Sequence, residues 1–221
     1  GLTGHHVTIR GLSNIGSATF AGGGGGTLTI TGTENIALES GSIVTTNADP
    51  GSQGPAGKTV LTTPHLLIAG GSVVASQNFG DGPGGTVTVQ GTSGPAQSVL
   101  ISDVGSGIFT DTTSFNLDGT ILGGGSGGSI SVHANSVTLQ DRAILSAGTT
   151  GIGNAGNILD KADSINIQSG AQMTSRSSIR QTPVFDGEVI SPPTGNSGTV
   201  IIEGLASPAQ SVLIDGFGSG V

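Results

Sequence analysis

The chain has no cysteine, no tryptophan and no tyrosine, and only one methionine in 221 residues. Without cysteine there is no disulfide framework to read, and the chain could cross a membrane unlocked, as surface-exported bacterial proteins must. Without tryptophan or tyrosine there are none of the indole or phenol rings on which sugar-degrading grooves lean for stacking. Charge is also scarce. Asp, Glu, Lys and Arg make up 9% of the chain, against about 25% in an ordinary globular domain, so Ser, Thr, Asn, Gln and Gly must cover the surface. Six Lys or Arg stand against fourteen Asp or Glu, for a net charge of −8 and a pI near 4.6. Such a chain has no basic patch, which argues against nucleic acid and anionic membranes as partners. No apolar run approaches 18 residues, so no helix inserts into a membrane. Helix signals are themselves almost missing, because poor helix formers, Gly and β-branched residues, recur throughout.

What is abundant is glycine, 42 residues of it, together with alternating Val, Ile and Thr. The alternation separates this chain from disordered Gly-rich sequences, which lack β-branched runs and carry more charge. It also repeats. Thr199–Val221 (TVIIEGLASPAQSVLIDGFGSGV) aligns without a gap on Thr86–Ile108 (TVTVQGTSGPAQSVLISDVGSGI), 113 residues earlier, with 13 of 23 residues identical; chance would give roughly two or three. A shorter unit recurs as IALESGSIVTT (Ile36–Thr46), LLIAGGSVVAS (Leu66–Ser76), VTLQDRAILSA (Val137–Ala147) and INIQSGAQMTS (Ile165–Ser175). Its skeleton is apolar-x-apolar, a few small or polar residues, an apolar residue, then small hydroxyl residues. Self-similarity of this kind marks a solenoid, whose repeats bury their apolar faces against one another.

Three strands per coil are expected. The first usually follows a glycine, at Gly25–Ile30, Gly57–Thr62, Gly84–Val89, Gly127–Val132, Ala155–Asp160 and Ser197–Ile202; the second and third lie in the short skeleton, with Ile36, Leu38 and Val44 inward. About six coils at about 4.8 Å each give an all-β parallel solenoid roughly 29 Å long. Coils longer than about 28 residues carry excursions, read at Asp103–Phe115 and Thr182–Ser197. Leu28, Val60, Val87, Ile130, Ile158 and Val200 are expected in one interior column. Ile30, Thr62, Val89, Val132 and Ile202 are expected in the next. Asp160 falls in that second column, where a bare carboxylate is costly, so its strand is expected to stop early and turn Asp160 outward beside Lys161. The Gly22–Gly26 tract reads as a turn with no room for side chains; no helix follows it to make a phosphate cradle.

GIGNAGNI (Gly151–Ile158), SINIQSGAQMTS (Ser164–Ser175) and GPAQSVLI (Gly94–Ile101) resemble the repeats of filamentous haemagglutinin-like exoproteins of the two-partner secretion class. The resemblance covers most of the chain and reports coil geometry more than a binding site. It implies a right-handed parallel β-helix shaft, exported through an outer-membrane transporter and displayed on a Gram-negative cell surface. The family's amino-terminal secretion domain has no counterpart here, and AGNILDKA departs from the usual alternation.

No catalytic, cofactor-binding or metal site is expected. Asp81, Asp103, Asp111 and Asp118 are scattered among loops, and Asp141–Arg142, Asp160–Lys161 and Arg180 with Asp186 read as isolated solvated charges. His5 and His6 are adjacent, so a strand would turn them to opposite faces; His65 and His133 sit on different coils. GDGPGG (Gly80–Gly85) has one Asp and is not repeated as a calcium array would be. The phenylalanines (Phe20, Phe79, Phe109, Phe115, Phe185, Phe217) read as turn and interior packing. Outward Thr27, Thr59, Thr86 and Thr199 with Ser129 form a hydroxyl column broken by Asn157, beside a second column of Thr29, Leu61, Thr88, Ser131, Leu159 and Ile201. The second column breaks the flat array that ice or crystal-surface binding needs, and exposed strands choose Thr for its β-propensity anyway, so such binding stands as a second alternative.

The sequence therefore reads as one shaft segment over residues 1–221, cut from a longer repeat protein, with a repeat unit at 86–198 and the next copy starting at 199. Its expected role is structural and adhesive, outside the cell, in attachment or in matrix or fibre formation, without enzymatic activity. Expected partners are further copies of itself, the export transporter, and a host, cell-surface or glycan receptor. Polysaccharide binding or degradation is the alternative role. Both ends are expected to expose apolar columns, Val7/Ile9 at one and Val212/Ile214 at the other.

Overall fold

The computed structural model describes residues 1–20, 22–113, 124–150, 153–178, 195–206 and 208–221. Among them there is no helix, and every paired strand runs parallel to its neighbours in three sheets. The largest sheet has ten strands: Leu2–Ile9, Thr27–Leu38, Lys58–Thr62, His65–Ile68, Thr86–Gln90, Ala96–Ile101, Ser129–Leu139, Asn157–Gln168, Thr199–Glu203 and Ser211–Asp215. Three of these are long enough to join the first and second strands of a repeat. Thr27–Leu38 and Ser129–Leu139 each pair with one partner along the first half and another along the second, so the pairing closes into a ring of six parallel strands. A second sheet stacks Asn14–Gly16, Ile43–Thr45, Val73–Ala75, Gly107–Phe109, Ile144–Ser146 and Gln172–Thr174 in chain order. The third is a short ladder of Thr112–Thr113, Thr149–Thr150 and Ser177–Ser178.

Pairing register turns the sequence alternation into columns. Leu2, Ile30, Leu61, Val89, Val132, Asp160 and Ile202 follow one another through seven paired segments. Val7, Ile36, Leu66, Val99, Val137, Ile165 and Val212 form another such column. The central members of both are buried and, Asp160 apart, belong to one continuous apolar cluster that also holds Val44, Val74, Ile108, Leu145 and Met173 of the second sheet. Leu2–Ile9 is a seventh segment beyond the six read from the sequence, which it escaped because it is not preceded by a paired glycine.

Four expectations need correction. In Lys58–Thr62 the inward residues are Thr59 and Leu61, both fully buried, while Val60 and Thr62 face outward. Pairing of Leu61 with Ile30 and Val89 fixes this phase, and a one-residue slip would invert the whole strand. Thr59 keeps its hydroxyl satisfied inside by Thr46 at 3.1 Å. Asp160 does not turn away: Asn157–Gln168 continues past it in register with Ser129–Leu139, and Asp160 is fully buried. Turning it out would break the ladder on both sides, and once Ile158 is inward a period of two places Asp160 inward as well. The span Asp103–Phe115 is no simple loop, since it contributes Gly107–Phe109 and Thr112–Thr113 before the description breaks off. Most of Thr182–Ser197 lies outside the described residues. Finally, Val7 and Ile9 are 5% and 4% exposed, packed in the cluster with Ile36, Leu38 and Ile15, whereas Val212 and Ile214 are 50% and 47% exposed.

Glycine explains the corner between the third ladder and the first strands. A G-x-x-G pattern recurs at Gly54–Gly57, Gly82–Gly85, Gly125–Gly128, Gly153–Gly156 and Gly195–Gly198. A Cβ on Gly85, Gly128, Gly156 or Gly198 would collide with the carbonyl oxygen of the preceding glycine in its column; the same holds for Gly82, Gly125, Gly153 and Gly195. Backbone thus stacks on backbone in two columns three residues apart. Only part of the Gly22–Gly26 tract is so confined: Gly25 has no room, but a Cβ on Gly22 or Gly23 would meet nothing. Gly128→Ala is expected to cost about 3 kcal/mol, because the obstacle is backbone and cannot rotate away. Gly22→Ala should be near neutral, and a thermal melt of the two variants checks the contrast.

Candidate functional site

From the last residue of five strands of the second sheet, the chain reads TTNAD (45–49), ASQNF (75–79), FTDTT (109–113), SAGTT (146–150) and TSRSS (174–178). The bridges Ala48–Asn78, Asn78–Thr112, Thr112–Thr149 and Thr149–Ser177 place the residues just before them, Asn47, Gln77, Asp111, Gly148 and Arg176, in one outer row. Gly148 leaves a gap in that row, and the Asp111 carboxylate leans into it. Its Oδ1 accepts from the Ser146 hydroxyl and from the Gly148 amide, each at 2.6 Å. Burial raises the Asp111 pKa above the usual carboxylate value, and the hydrogen bonds from Ser146, Gly148 and the Gln77 side chain offset this only in part.

A recess of about 220 Å³ opens here, lined by Gln77, Asp111, Ser146, Thr150, Arg176 and Ser178 among others. Arg176 is exposed, and its guanidinium has no ion pair or hydrogen bond among the described residues. Thr113, Thr150 and Ser178 continue the polar surface as an outward ladder. The arrangement offers hydroxyl donors and acceptors with one cation. Within it the Ser146 hydroxyl is bonded to the Asp111 carboxylate. Read along the chain, Asp111 falls among loops; aligning the segments after the second sheet's strands puts it in a row with Gln77 and Arg176.

The other singled-out residues stay apart. Asp103 occupies a left-handed turn (φ 78°), and its carboxylate accepts the Gly70 amide at 2.8 Å. Asp81 lies earlier, between Val73–Ala75 and Thr86–Gln90, its amide donating to the Ser52 carbonyl. Asp118, Arg180 and Asp186 lie outside the described residues, as do Phe115 and Phe185. Asp141 and Arg142 take consecutive left-handed conformations in a turn, and Lys161 faces outward to Glu203 at 3.1 Å. Phe217 lies in a turn, in keeping with half of the expectation of turn and interior packing, but Phe20 and Phe217 are exposed and Phe79 and Phe109 only half-buried, so none of the described phenylalanines fills the interior. Asp160 is a different case: neither carboxylate oxygen has a hydrogen-bond partner, and burial pushes its pKa up to about 7. Val132 and Ile202 neighbour it in its column.

His5 and His6 are not on opposite sides. A register shift between Gly4 and His6 turns both toward Glu34, with His6 Nε2 at 3.1 Å and His5 Nδ1 at 4.0 Å from its carboxylate. His65 meets the Ser98 hydroxyl at 2.8 Å, and His133 stands on the outer face beside Lys161. No group of three His, Cys, Asp or Glu among the described residues is arranged to hold a metal. In the GDGPGG loop, the buried Asn78 amide donates to Gly54 and Pro83 and its carbonyl oxygen accepts from Gly80. The outward hydroxyl column also changes: Lys58 replaces Thr59 between Thr27 and Thr86, and Val60 replaces Leu61 in the second column. A cation and three large aliphatic residues (Val60, Leu159, Ile201) interrupt what a flat hydroxyl array requires. No protein-family model, curated protein or solved structure significantly matches this chain.

Proposed function

We propose that the chain is a length of right-handed parallel β-helix, three strands to each turn, serving as a structural and adhesive rod of an exported bacterial surface protein. The observation that carries this reading is the stacking of equivalent residues, parallel and in register, through seven successive segments. The 113-residue repeat agrees with it. Ser106 and its counterpart Ser219 each accept a backbone amide from the preceding turn, Gly71 at 3.0 Å and Gly170 at 2.9 Å, so the two copies use the same contact in the same place. A rod built this way acts mechanically. Ladders along its axis resist extension, and a sparsely charged surface lets neighbouring rods approach without strong repulsion. Export by a two-partner transporter and display outside the cell rest on the resemblance to filamentous haemagglutinin-like exoproteins. Electron microscopy of the native cell surface and supernatant tests the reading. Fibrils or bundled fibres are expected, and dispersed compact particles would overturn it.

The recess at Asp111 favours a second role on the same rod, attachment to an acidic polysaccharide. Arg176 would pair with a uronate carboxylate while Asp111 and the Thr113–Thr150–Ser178 ladder meet sugar hydroxyls. Titration with an oligouronate should show binding that Arg176→Ala abolishes; equal binding by that variant would remove the recess from consideration.

A further inference from the structure

Ile43, Val73, Gly107 and Ile144 follow one another in an outer column of the second sheet, opposite in phase to the buried Val44, Val74, Ile108 and Leu145. At Gly107 the column has no side chain of its own. Phe109 supplies one: a Cβ on Gly107 would meet the Cε2 and Cζ atoms of its ring at 2.8 Å, so the ring folds back along its strand into the empty place. The result is an unbroken apolar stripe of Ile43, Val73, the Phe109 ring and Ile144, with neighbours about 4.8 Å apart. Ile43 is 40% exposed, and Val73, Phe109 and Ile144 are half-buried. Asn14–Gly16 and Gln172–Thr174 continue the sheet on either side, so the stripe is internal to the stack and open only on its outer face.

This stripe adjoins the Asp111 recess. Phe109 is paired with Ser146, whose hydroxyl is bonded to the Asp111 carboxylate at 2.6 Å. Asp111 itself follows Phe109 by two residues, past the buried Thr110, and stands on the same outer side. An aromatic face with aliphatic neighbours thus meets, across Ser146, a group of hydroxyls with one cation, Arg176. A ligand covering both must combine apolar faces with a polar rim and an anionic group. Linked uronate rings do so, through their C–H faces, hydroxyl edges and carboxylates, and aromatic rings stack on such faces. A peptide strand would need backbone partners instead, and those of Gly107–Phe109 are taken on both sides by Val73–Ala75 and Ile144–Ser146. The ring lies over Gly107, two residues and so about 7 Å back along the strands from the Ser146 row. One sugar seated in the recess cannot reach it, whereas a linked neighbour can.

We infer that Phe109 is a second saccharide subsite, on which the apolar face of one sugar ring stacks while Arg176 holds the carboxylate of a neighbouring unit, so that the polysaccharide lies along the strands and across the rod. This rests on the reading of the recess as a uronate site and adds the smallest ligand, two linked units, and its direction. Calorimetric titration of the 221-residue chain with oligomannuronates of one, two and four units tests it, with circular dichroism confirming the fold of each variant. Binding should tighten about fivefold from one unit to four. Phe109→Ala should remove that gain and leave the single unit bound as before, and Phe109→Leu should keep only part of it. A readout free of substitution comes from nuclear magnetic resonance of the phenylalanine-labelled chain: the Phe109 ring signals should shift with the tetramer and stay in place with the monomer. Binding that Arg176→Ala abolishes, but with no gain from length and no shift of the ring signals, would overturn the inference and leave the recess reading standing. Absence of binding at every length, or binding indifferent to Arg176→Ala, would remove both. Self-association without sugar that Phe109→Ala abolishes would assign the stripe to a second copy of the chain and likewise overturn the inference.

Discussion

Replacing Asp160 with leucine is expected to stabilise the protein at pH 8 by about 4 kcal/mol and to remove most of the pH dependence of its stability. The folded-state pKa is about 7 against an ordinary 3.8, roughly three units at about 1.4 kcal/mol each. The shift is upward, so the folded chain holds its proton more tightly than the unfolded one. Asp160 is therefore tolerated fully below pH 3.8. Its penalty then grows as pH rises through the window between the two values and levels off above 7. Every other central member of its column is Ile, Leu or Val, and leucine restores that pattern without a new polar group. Urea unfolding from pH 4 to pH 8 is the measurement. The wild-type midpoint should fall across the range while that of the variant stays nearly level. Parallel curves would mean that Asp160 reaches water or a partner.

Val87→Asp is expected to cost about 3–5 kcal/mol and to leave the chain largely unfolded, whereas Thr88→Asp should stay within about 0.5 kcal/mol. Val87 is fully buried, with Thr59 and Ile130 as its paired neighbours; Thr88 points out between Val60 and Ser131. The pair differs by one position and by nothing in the chemistry introduced, so it isolates the phase of the strand. Equal melting temperatures would show that the phase is wrong.

Where alternation was unambiguous, as in TVTV at Thr86–Val89 or SISV at Ser129–Val132, the inward face could be read from residues alone. KTVLT defeated the same reading because it offers apolar residues in both phases, Val60 in one and Leu61 in the other. Only pairing with Ile30 and Val89 selects between them. Asp160 failed for the opposite reason. Burying a carboxylate is costly, but turning it out would break the ladder that passes through it, and the ladder prevails. The Asp111 recess could not be read along the chain at all, since Gln77, Asp111, Ser146 and Arg176 come from four repeats and meet only through stacking. His5 and His6 depend on a bulge that no residue in GLTGHHVTI announces.

The paired glycine columns bear on how such a chain can change over time. From Gly57 to Gly85 the chain takes 28 residues, from Gly85 to Gly128 it takes 43, and from Gly128 to Gly156 it takes 28 again. Length drifts by half, yet the carbonyl of each glycine still sits where the next one can bear no side chain. The corner resets the count at every circuit, as a notch does on a measuring wheel. Material can be gained or lost between notches without moving any residue of the next circuit from the inner face to the outer. Loop length and strand register are then free to evolve separately.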